Sequence, residues 1–263
     1  MVSNLKIGIQ TRSLRQPLKK ALQTAARLGA DGVEVDLRTE LPMAELSHTS
    51  IRQFRKQLED LNLRLSAVAF PTRRGYDVPE ALDRRVLATQ QAMTLAYQLG
   101  ASVVVNRVGS VPPDTEDPRF GLLTASLTAL GTHGERVGAR IAAQTGSESG
   151  DRLKQLIEAL PEQAIGVDFH PNGLILQGHS PQEAIVDLGP WVVHVHACDA
   201  VRNLSGGQGA EVELGRGMAE FPSLLGQLEE FGYRDWVTIE RRDSVDPIAE
   251  VGNAIAYLRE LTH

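Results

Sequence analysis

The segment Lys6-Ile7-Gly8-Ile9-Gln10, which runs directly into Thr11-Arg12-Ser13, decides between the two α/β folds that the chain allows. Ile7 and Ile9 alternate with other residues in a short run, the pattern of a β-strand. In a doubly wound open sheet, the first strand is usually followed by a glycine-rich turn that holds a phosphate group. No glycine follows Gln10 in this turn. The segment therefore favours a closed barrel over an open sheet.

The rest of the chain alternates short β-branched runs with longer stretches whose apolar residues recur every three or four positions. The first of these longer stretches begins behind Pro17 and is followed by Gly29, a residue suited to a helix C-terminus. Eight strands alternating with eight helices in about 250 residues predict an α/β fold, a single (β/α)8 TIM barrel over residues 1–263. The predicted strands are Lys6–Gln10, Gly32–Leu37, Arg64–Ala69, Ser102–Arg107, Arg140–Gln144, Ile165–Phe169, Val192–His196 and Trp236–Glu240.

The composition excludes several classes of protein. The chain has 263 residues, 42% of them hydrophobic, and a single cysteine, which excludes a disordered chain and a disulfide scaffold. With 33 acidic and 27 basic residues the net charge is −6, which argues against nucleic acid or an anionic membrane as a partner. No apolar run approaches the roughly 18 residues of a membrane span, and the first residues lack a signal peptide's apolar region. We therefore expect a cytoplasmic protein.

The active site of such a barrel lies at the C-terminal ends of its strands. The polar residues at these ends are Gln10, Glu34, Asn106, Arg107, Gln144, His170, His196 and Glu240. Four of them end neighbouring strands and can converge as metal ligands: Gln144, His170, His196 and Glu240. Imidazole and carboxylate together suit a divalent transition metal. The alternative is a structural role, in which the histidines pack inside the barrel and Glu240 pairs with Arg216 or Arg241.

Four motifs occur in order on the predicted strands: Gly29-Ala30-Asp31-Gly32-Val33-Glu34-Val35, Phe169-His170-Pro171-Asn172-Gly173-Leu174-Ile175-Leu176, Val193-His194-Val195-His196-Ala197-Cys198-Asp199 and Thr238-Ile239-Glu240. At these motifs the chain resembles the xylose isomerase-like superfamily of sugar isomerases and epimerases, which includes the ketose 3-epimerases. The resemblance covers essentially the whole chain.

The resemblance implies a divalent metal, typically manganese or magnesium, held by Glu, Asp, His and Glu. It also implies two glutamates that move a proton on opposite faces of the sugar. His196 and Glu240 match this pattern, whereas Gln144 stands where the first Glu is expected and His170 where the Asp is expected. Arg202 falls where the epimerases carry an arginine that anchors sugar oxygens.

These departures change the expected chemistry. Hard cations depend on anionic oxygen ligands, so the loss of two carboxylates weakens a magnesium site. A softer ion such as zinc, iron(II) or nickel tolerates two imidazoles better than magnesium does. The expected cofactor is a divalent metal, manganese, zinc or a similar ion, and a site without any metal is the alternative that stays open. A carboxamide has no group that titrates near neutral pH, so Gln144 cannot act as a base. Glu240 is then the single predicted catalytic base.

The predicted substrate-binding residues are Arg202, Arg216, Glu34 and Asn106. Arginines at the mouth, Arg107 among them, suit a carboxylate or a phosphate because the guanidinium binds such groups through two parallel hydrogen bonds. Arg202 and Arg216 belong to the loop after the seventh strand, whose stretch Ser205-Gly206-Gly207-Gln208-Gly209 predicts a lid.

The resulting hypothesis is a sugar or sugar phosphate isomerase or epimerase with an altered, degenerate metal site. Its partner is a small carbohydrate, and a homo-oligomer is compatible with the sequence. Two alternatives remain open: a catalytically inactive carbohydrate-binding barrel of the same superfamily, and a lyase or dehydratase on the same scaffold.

Overall fold

Eight parallel strands close into a barrel in the computed structural model, which describes residues 5–202 and 209–262. The barrel strands are β1 Lys6–Gln10, β2 Gly32–Asp36, β3 Arg64–Ala69, β4 Val103–Asn106, β5 Arg140–Gln144, β6 Gly166–Phe169, β7 Val192–Ala197 and β10 Trp236–Ile239. Around the barrel the strand order is β1, β10, β7, β6, β5, β4, β3, β2, and the closure pairs Lys6 of β1 with Trp236 of β10. The predicted TIM barrel is thus confirmed, and each predicted strand end lies within one residue of the observed one.

The helices lie between the strands along the chain. They are α1 Leu18–Leu28, α2 His48–Asp60, α3 Leu82–Leu99, α4 Pro118–Val137, α5 Gly150–Glu158, α6 Pro171–Gln177, α7 Pro181–Leu188, α8 Phe221–Glu230 and α9 Pro247–Thr262. Helix α1 ends as expected at Gly29, whose φ of 84° lies in the left-handed region that glycine adopts without strain. Within the described residues no helix is long and apolar enough to cross a membrane.

One helix and one pair of strands were not predicted. Helix α6 precedes the expected helix α7, so two helices connect β6 to β7. Strands β8 Asp199–Arg202 and β9 Gly209–Val212 form an antiparallel pair outside the barrel, directly after β7. The Asp199 carboxylate accepts hydrogen bonds from the backbone N–H groups of Ala200, Gly215, Gly217 and Ala219, at 2.8 to 3.1 Å. These four hydrogen bonds hold the segment after β9 against the C-terminal end of β7.

A polar layer fills the barrel interior below its C-terminal mouth. His194 Nε2 lies 2.9 Å from Thr238 Oγ1, and the Thr238 hydroxyl donates to Ser66 Oγ at 3.2 Å. Gly8 leaves space for this layer, because a Cβ atom at that position would lie only 2.8 Å from Thr238 Oγ1. The layer is fully buried, so its hydrogen bonds fix the side chains on which the mouth rests.

Candidate functional site

The C-terminal ends of four strands bring carboxylates and imidazoles into one buried cluster. Glu34 comes from β2, Asp168 from β6 and His196 from β7, while Glu240 directly follows β10. Each of these side chains is 2% exposed or less. His170, directly after β6, borders the same cluster. Buried charged groups persist only where partners compensate them, so the contacts between these groups define what the site can do.

Asp168 is the anchor of the cluster. Its carboxylate accepts hydrogen bonds from Nδ1 of His194 at 2.8 Å, Nδ1 of His196 at 2.9 Å and the Gln144 amide at 3.0 Å. Burial by itself would raise the pKa of Asp168, but the two histidines outweigh it and hold that pKa well below its ordinary value. Asp168 is therefore an ionised hydrogen-bond acceptor that orients both imidazoles.

His196 presents its other ring nitrogen to the mouth. Nε2 lies 3.1 Å from Glu34 Oε2 and 3.5 Å from Glu240 Oε2, yet neither contact is aligned as a hydrogen bond. Burial disfavours a charged imidazole, but Asp168 and Glu34 outweigh it and raise the pKa of His196 well above its ordinary value. The Nε2 position is thus poised to bind a cation, either a proton or a metal ion.

His170 serves a different structural purpose. It is the N-cap of α6, and its Nδ1 accepts a hydrogen bond from the Gly173 N–H at 2.9 Å. An imidazole that accepts at Nδ1 carries its proton on Nε2 when it is neutral. That nitrogen lies 3.4 Å from Glu240 Oε2. In this arrangement His170 offers a proton toward Glu240, and it can bind a metal through Nε2 only by giving up the cap.

Gln10 connects the two glutamates. Its Nε2 donates to Glu34 Oε1 at 2.9 Å and to Glu240 Oε2 at 3.2 Å. Arg242 also contacts the Glu240 carboxylate. Burial would raise the pKa of Glu240, but His170, His196 and Arg242 together lower it well below its ordinary value. Glu240 is therefore a carboxylate at neutral pH.

Gln144 is held at both ends of its amide. The nitrogen donates to Asp168 Oδ2 at 3.0 Å, and the oxygen accepts from Arg107 Nε at 3.2 Å. A glutamate at this position could not donate to Asp168, because an ionised carboxylate only accepts. The amide is thus the side chain that fits between Asp168 and Arg107.

Three described residues fit a metal by proximity alone: Glu34, His194 and His196 place ligand atoms within 4.8 Å of one another. Both ring nitrogens of His194 already have hydrogen-bond partners, Asp168 and Thr238. Glu34 Oε2 and His196 Nε2 are buried and have no hydrogen-bond partner among the described residues. The atoms of this group that are available to bind a metal are therefore Glu34 Oε2 and His196 Nε2.

A cavity of about 520 Å³ opens above the cluster, lined by Glu34, Asn106 and Gln144 among others. Asn106 is buried, accepts from the Thr72 N–H at 3.2 Å and donates to the Tyr76 hydroxyl at 2.9 Å. Asn106, which the sequence predicts to contact the substrate, thus lines the cavity. Its hydrogen bonds to Thr72 and Tyr76 also hold the cavity wall in place.

The other two predicted substrate contacts lie elsewhere. Arg202 lies over Gly178 at the end of α6 and lines a separate depression of about 430 Å³. Arg216 is exposed, and its nearest acidic neighbour is Glu213 at 3.9 Å. The structure does not bring either residue to the cavity above Glu34. Residues 205–208 of the predicted lid lie outside the described residues.

Sequence reasoning missed Asp168 and the bridging part of Gln10. Asp168 stands inside the strand Gly166–Phe169, where every other residue is apolar or glycine. An acidic residue in a buried strand needs a partner, and this was the available signal. The sequence instead predicts His170 as the ligand from this strand, because it stands at the strand's end.

A family model described as xylose isomerase-like TIM barrel matches residues 22–261 of this chain. A sequence search of curated proteins finds no match. Solved structures share the fold at low identity. A xylose isomerase domain protein from Planctomyces limnophilus has a TM-score of 0.84 and 23% identity, with 99% of this chain and 97% of that chain covered.

Two further structures are similar over nearly their whole length. A xylose isomerase-like TIM barrel protein from Mycobacterium smegmatis in complex with magnesium has a TM-score of 0.78 and 19% identity, with 100% of this chain and 99% of that one covered. A D-psicose 3-epimerase in the presence of D-fructose has a TM-score of 0.76 and 15% identity, with 97% and 99% covered. At such identities these structures show the fold alone. The family model spans most of the chain, and the protein belongs to the xylose isomerase-like TIM barrel family.

Proposed function

We propose that the protein isomerises or epimerises a carbohydrate in the cavity above Glu34, His196 and Glu240. The observation that carries this proposal is the convergence of two buried carboxylates on His196 Nε2, at 3.1 and 3.5 Å. Isomerisation and epimerisation both move a proton at a carbon next to a carbonyl group, which requires positioned groups that accept and return it. The family and the 3-epimerases among similar structures support the same reaction class.

The residues present fit a divalent metal. His196 Nδ1 donates to Asp168, which leaves the lone pair on Nε2 directed away from the anchor. Glu34 Oε2 and His196 Nε2 are buried without hydrogen-bond partners among the described residues, as expected of ligand atoms. Glu240 completes a set of two carboxylates and one imidazole, which suits manganese, zinc or a similar ion. When bound, such an ion supplies positive charge that polarises oxygens of the sugar.

Glu240 and Glu34 are the two carboxylates that carry the proton in this proposal. Gln10 holds one oxygen of each, so the pair keeps a fixed separation. His170 directs Nε2 toward Glu240, where it stabilises the carboxylate and can replace a proton that the carboxylate releases. Gln144 takes no part in proton transfer and instead keeps Asp168 and Arg107 in place.

The test combines metal analysis with a substrate screen. The metal content of the purified protein is measured, and thermal shifts are recorded with manganese and zinc. Aldoses and ketoses are then incubated with the protein and analysed by chromatography. Glu240→Gln and Glu34→Gln should abolish turnover, whereas Glu135→Gln, which alters an exposed residue on α4, should leave it unchanged.

A barrel that binds carbohydrate without turnover is the second candidate, because both ends of the Gln144 amide are engaged where the resemblance implies a base. Sugar binding with no product from any substrate would favour this candidate and overturn the isomerase. A product lighter by one water would indicate a dehydratase on the same scaffold.

A further inference from the structure

Five arginine side chains line the cavity above the cluster, and the carboxylates of Glu34 and Asp36 line the same cavity. Three of the five are ion-paired: Arg12 with Asp36 at 2.8 Å, Arg241 with Glu250 at 2.7 Å, and Arg242 with Glu240. Arg15 donates its terminal nitrogens to the backbone carbonyls of Arg242 and Ser244. Four of the guanidinium groups are therefore engaged by a carboxylate or by two backbone carbonyls.

Arg107 is the exception. It follows β4 directly and is exposed at the cavity wall. Its Nε donates to Gln144 Oε1 at 3.2 Å. In the part of the chain that the structure describes, no carboxylate oxygen lies within 4.0 Å of Arg107, and its two terminal nitrogens have no hydrogen-bond partner. The fork that binds carboxylates and phosphates through two parallel hydrogen bonds is thus free and faces the cavity.

Gln144 explains why this charge stays available. A glutamate at this position would pair with Arg107 and neutralise it, whereas the amide orients Nε without adding a negative charge. The same amide donates to Asp168, which in turn holds His196. One continuous chain of contacts, at 3.2, 3.0 and 2.9 Å, therefore fixes Arg107 relative to the proposed reaction centre.

We infer that the substrate is an anionic sugar, whose carboxylate or phosphate Arg107 binds through both terminal nitrogens. This inference rests on the proposed function, since it assigns the substrate class of that same cavity. The anionic end of the molecule lies at Arg107, and its carbonyl end lies toward Glu34 and His196. The anionic group of the substrate then neutralises Arg107, which the uncharged Gln144 does not.

The test is calorimetric titration at low ionic strength with D-glucuronate, D-glucose 6-phosphate and D-glucose. At least one anionic probe should bind ten times more tightly than glucose, and the comparison of the two distinguishes a carboxylate site from a phosphate site. Arg107→Met should lower the affinity for the anionic probe at least tenfold and leave that for glucose unchanged. Arg107→Lys, which keeps the charge but loses the fork, should lose most of the preference.

Arg140→Met is the matched control, because it removes the same charge at the first residue of β5, at the end of the barrel opposite the cavity. It should leave every affinity unchanged. Equal binding of glucose and both anions, binding of no probe, or a preference that survives Arg107→Met would overturn the inference. Turnover of neutral sugars alone would overturn it while the proposed function stands. Tight anion binding through Arg107 without any turnover would instead overturn the proposed function and leave the anion site standing.

Discussion

The His196 Nδ1 atom lies 2.9 Å from both carboxylate oxygens of Asp168, and this contact determines which ring nitrogen faces the cavity. A carboxylate accepts, so the imidazole donates through Nδ1 and keeps Nε2 for Glu34 and Glu240. The orientation of the candidate site therefore depends on a residue that itself lies below the cavity floor and is fully buried.

Replacing that residue tests the arrangement. We expect Asp168→Asn to lower the free energy of unfolding by about 3 kcal/mol at pH 7, because it breaks a buried charged contact and leaves its partners uncompensated. The folded state holds the pKa of Asp168 low, so the stability it contributes is present above the carboxyl's ordinary pKa and is lost as the pH falls below it. Urea unfolding at pH 7 and pH 3 measures this, and the difference in the free energy of unfolding between the two proteins should be smaller at pH 3.

Asp60→Asn is the control for that experiment. Asp60 is exposed and, among the described residues, pairs only with Lys56, at 3.4 Å on the same helix, so its loss should cost well under about 1 kcal/mol. Equal losses for the two variants would show that the buried contact adds nothing beyond an ordinary surface pair.

The barrel could be predicted from sequence because each strand is a short β-branched run between helical stretches, as at Lys6–Gln10. The β8–β9 pair escaped prediction since only Cys198 separates it from β7, and no turn residue marks the boundary. Helix α6 escaped because Pro171–Gln177 is two turns long, too short for a clear apolar period.

The candidate site was predictable only in part. His196 and Glu240 stand at the C-terminal ends of their strands and Glu34 stands within β2, and the barrel places these ends together. The roles of Gln10 and Gln144 depend on which amide atom meets which neighbour, and a sequence carries no such distances. His170 illustrates the same limit, because the cap that fixes its ring forms only when α6 does.

The proposed ligand set predicts a specific order of metal affinities. Glu34→Gln should weaken manganese or zinc binding at least tenfold, since it removes an anionic ligand, whereas Gln144→Met should change the affinity less than threefold. Calorimetric titration of the metal into each variant measures the order. A larger loss for Gln144→Met than for Glu34→Gln would instead place Gln144 among the ligands.

Glu148, which follows β5, should make the free energy of unfolding depend on pH independently of the candidate site. Burial, aided by the charge of Asp77, raises the pKa of Glu148 to about 7, and its Oε2 has no hydrogen-bond partner among the described residues. The folded state therefore favours the protonated form, and this contribution is lost as the pH rises from about 4.5 to 7. Glu148→Gln should be more stable than the original protein by about 2 kcal/mol at pH 8 and by little at pH 4.5.

Urea unfolding at both pH values checks this expectation, with Glu80→Gln as the exposed control. A difference between Glu148→Gln and the original protein that does not grow between pH 4.5 and pH 8 would contradict it.

Tyr76 supports the cavity wall through its hydrogen bond with Asn106. Its fully buried hydroxyl lies 2.7 Å from Thr89 Oγ1 and accepts from Asn106 Nδ2, next to Arg107. Tyr76→Phe leaves that buried amide donor without its partner, so we expect the free energy of unfolding to fall by about 1–2 kcal/mol. Tyr97→Phe, at a residue that is 60% exposed, should change it by less than about 0.5 kcal/mol. Equal values for the two variants in urea unfolding would mean that Asn106 finds another partner, and the wall beside Arg107 would then not depend on Tyr76.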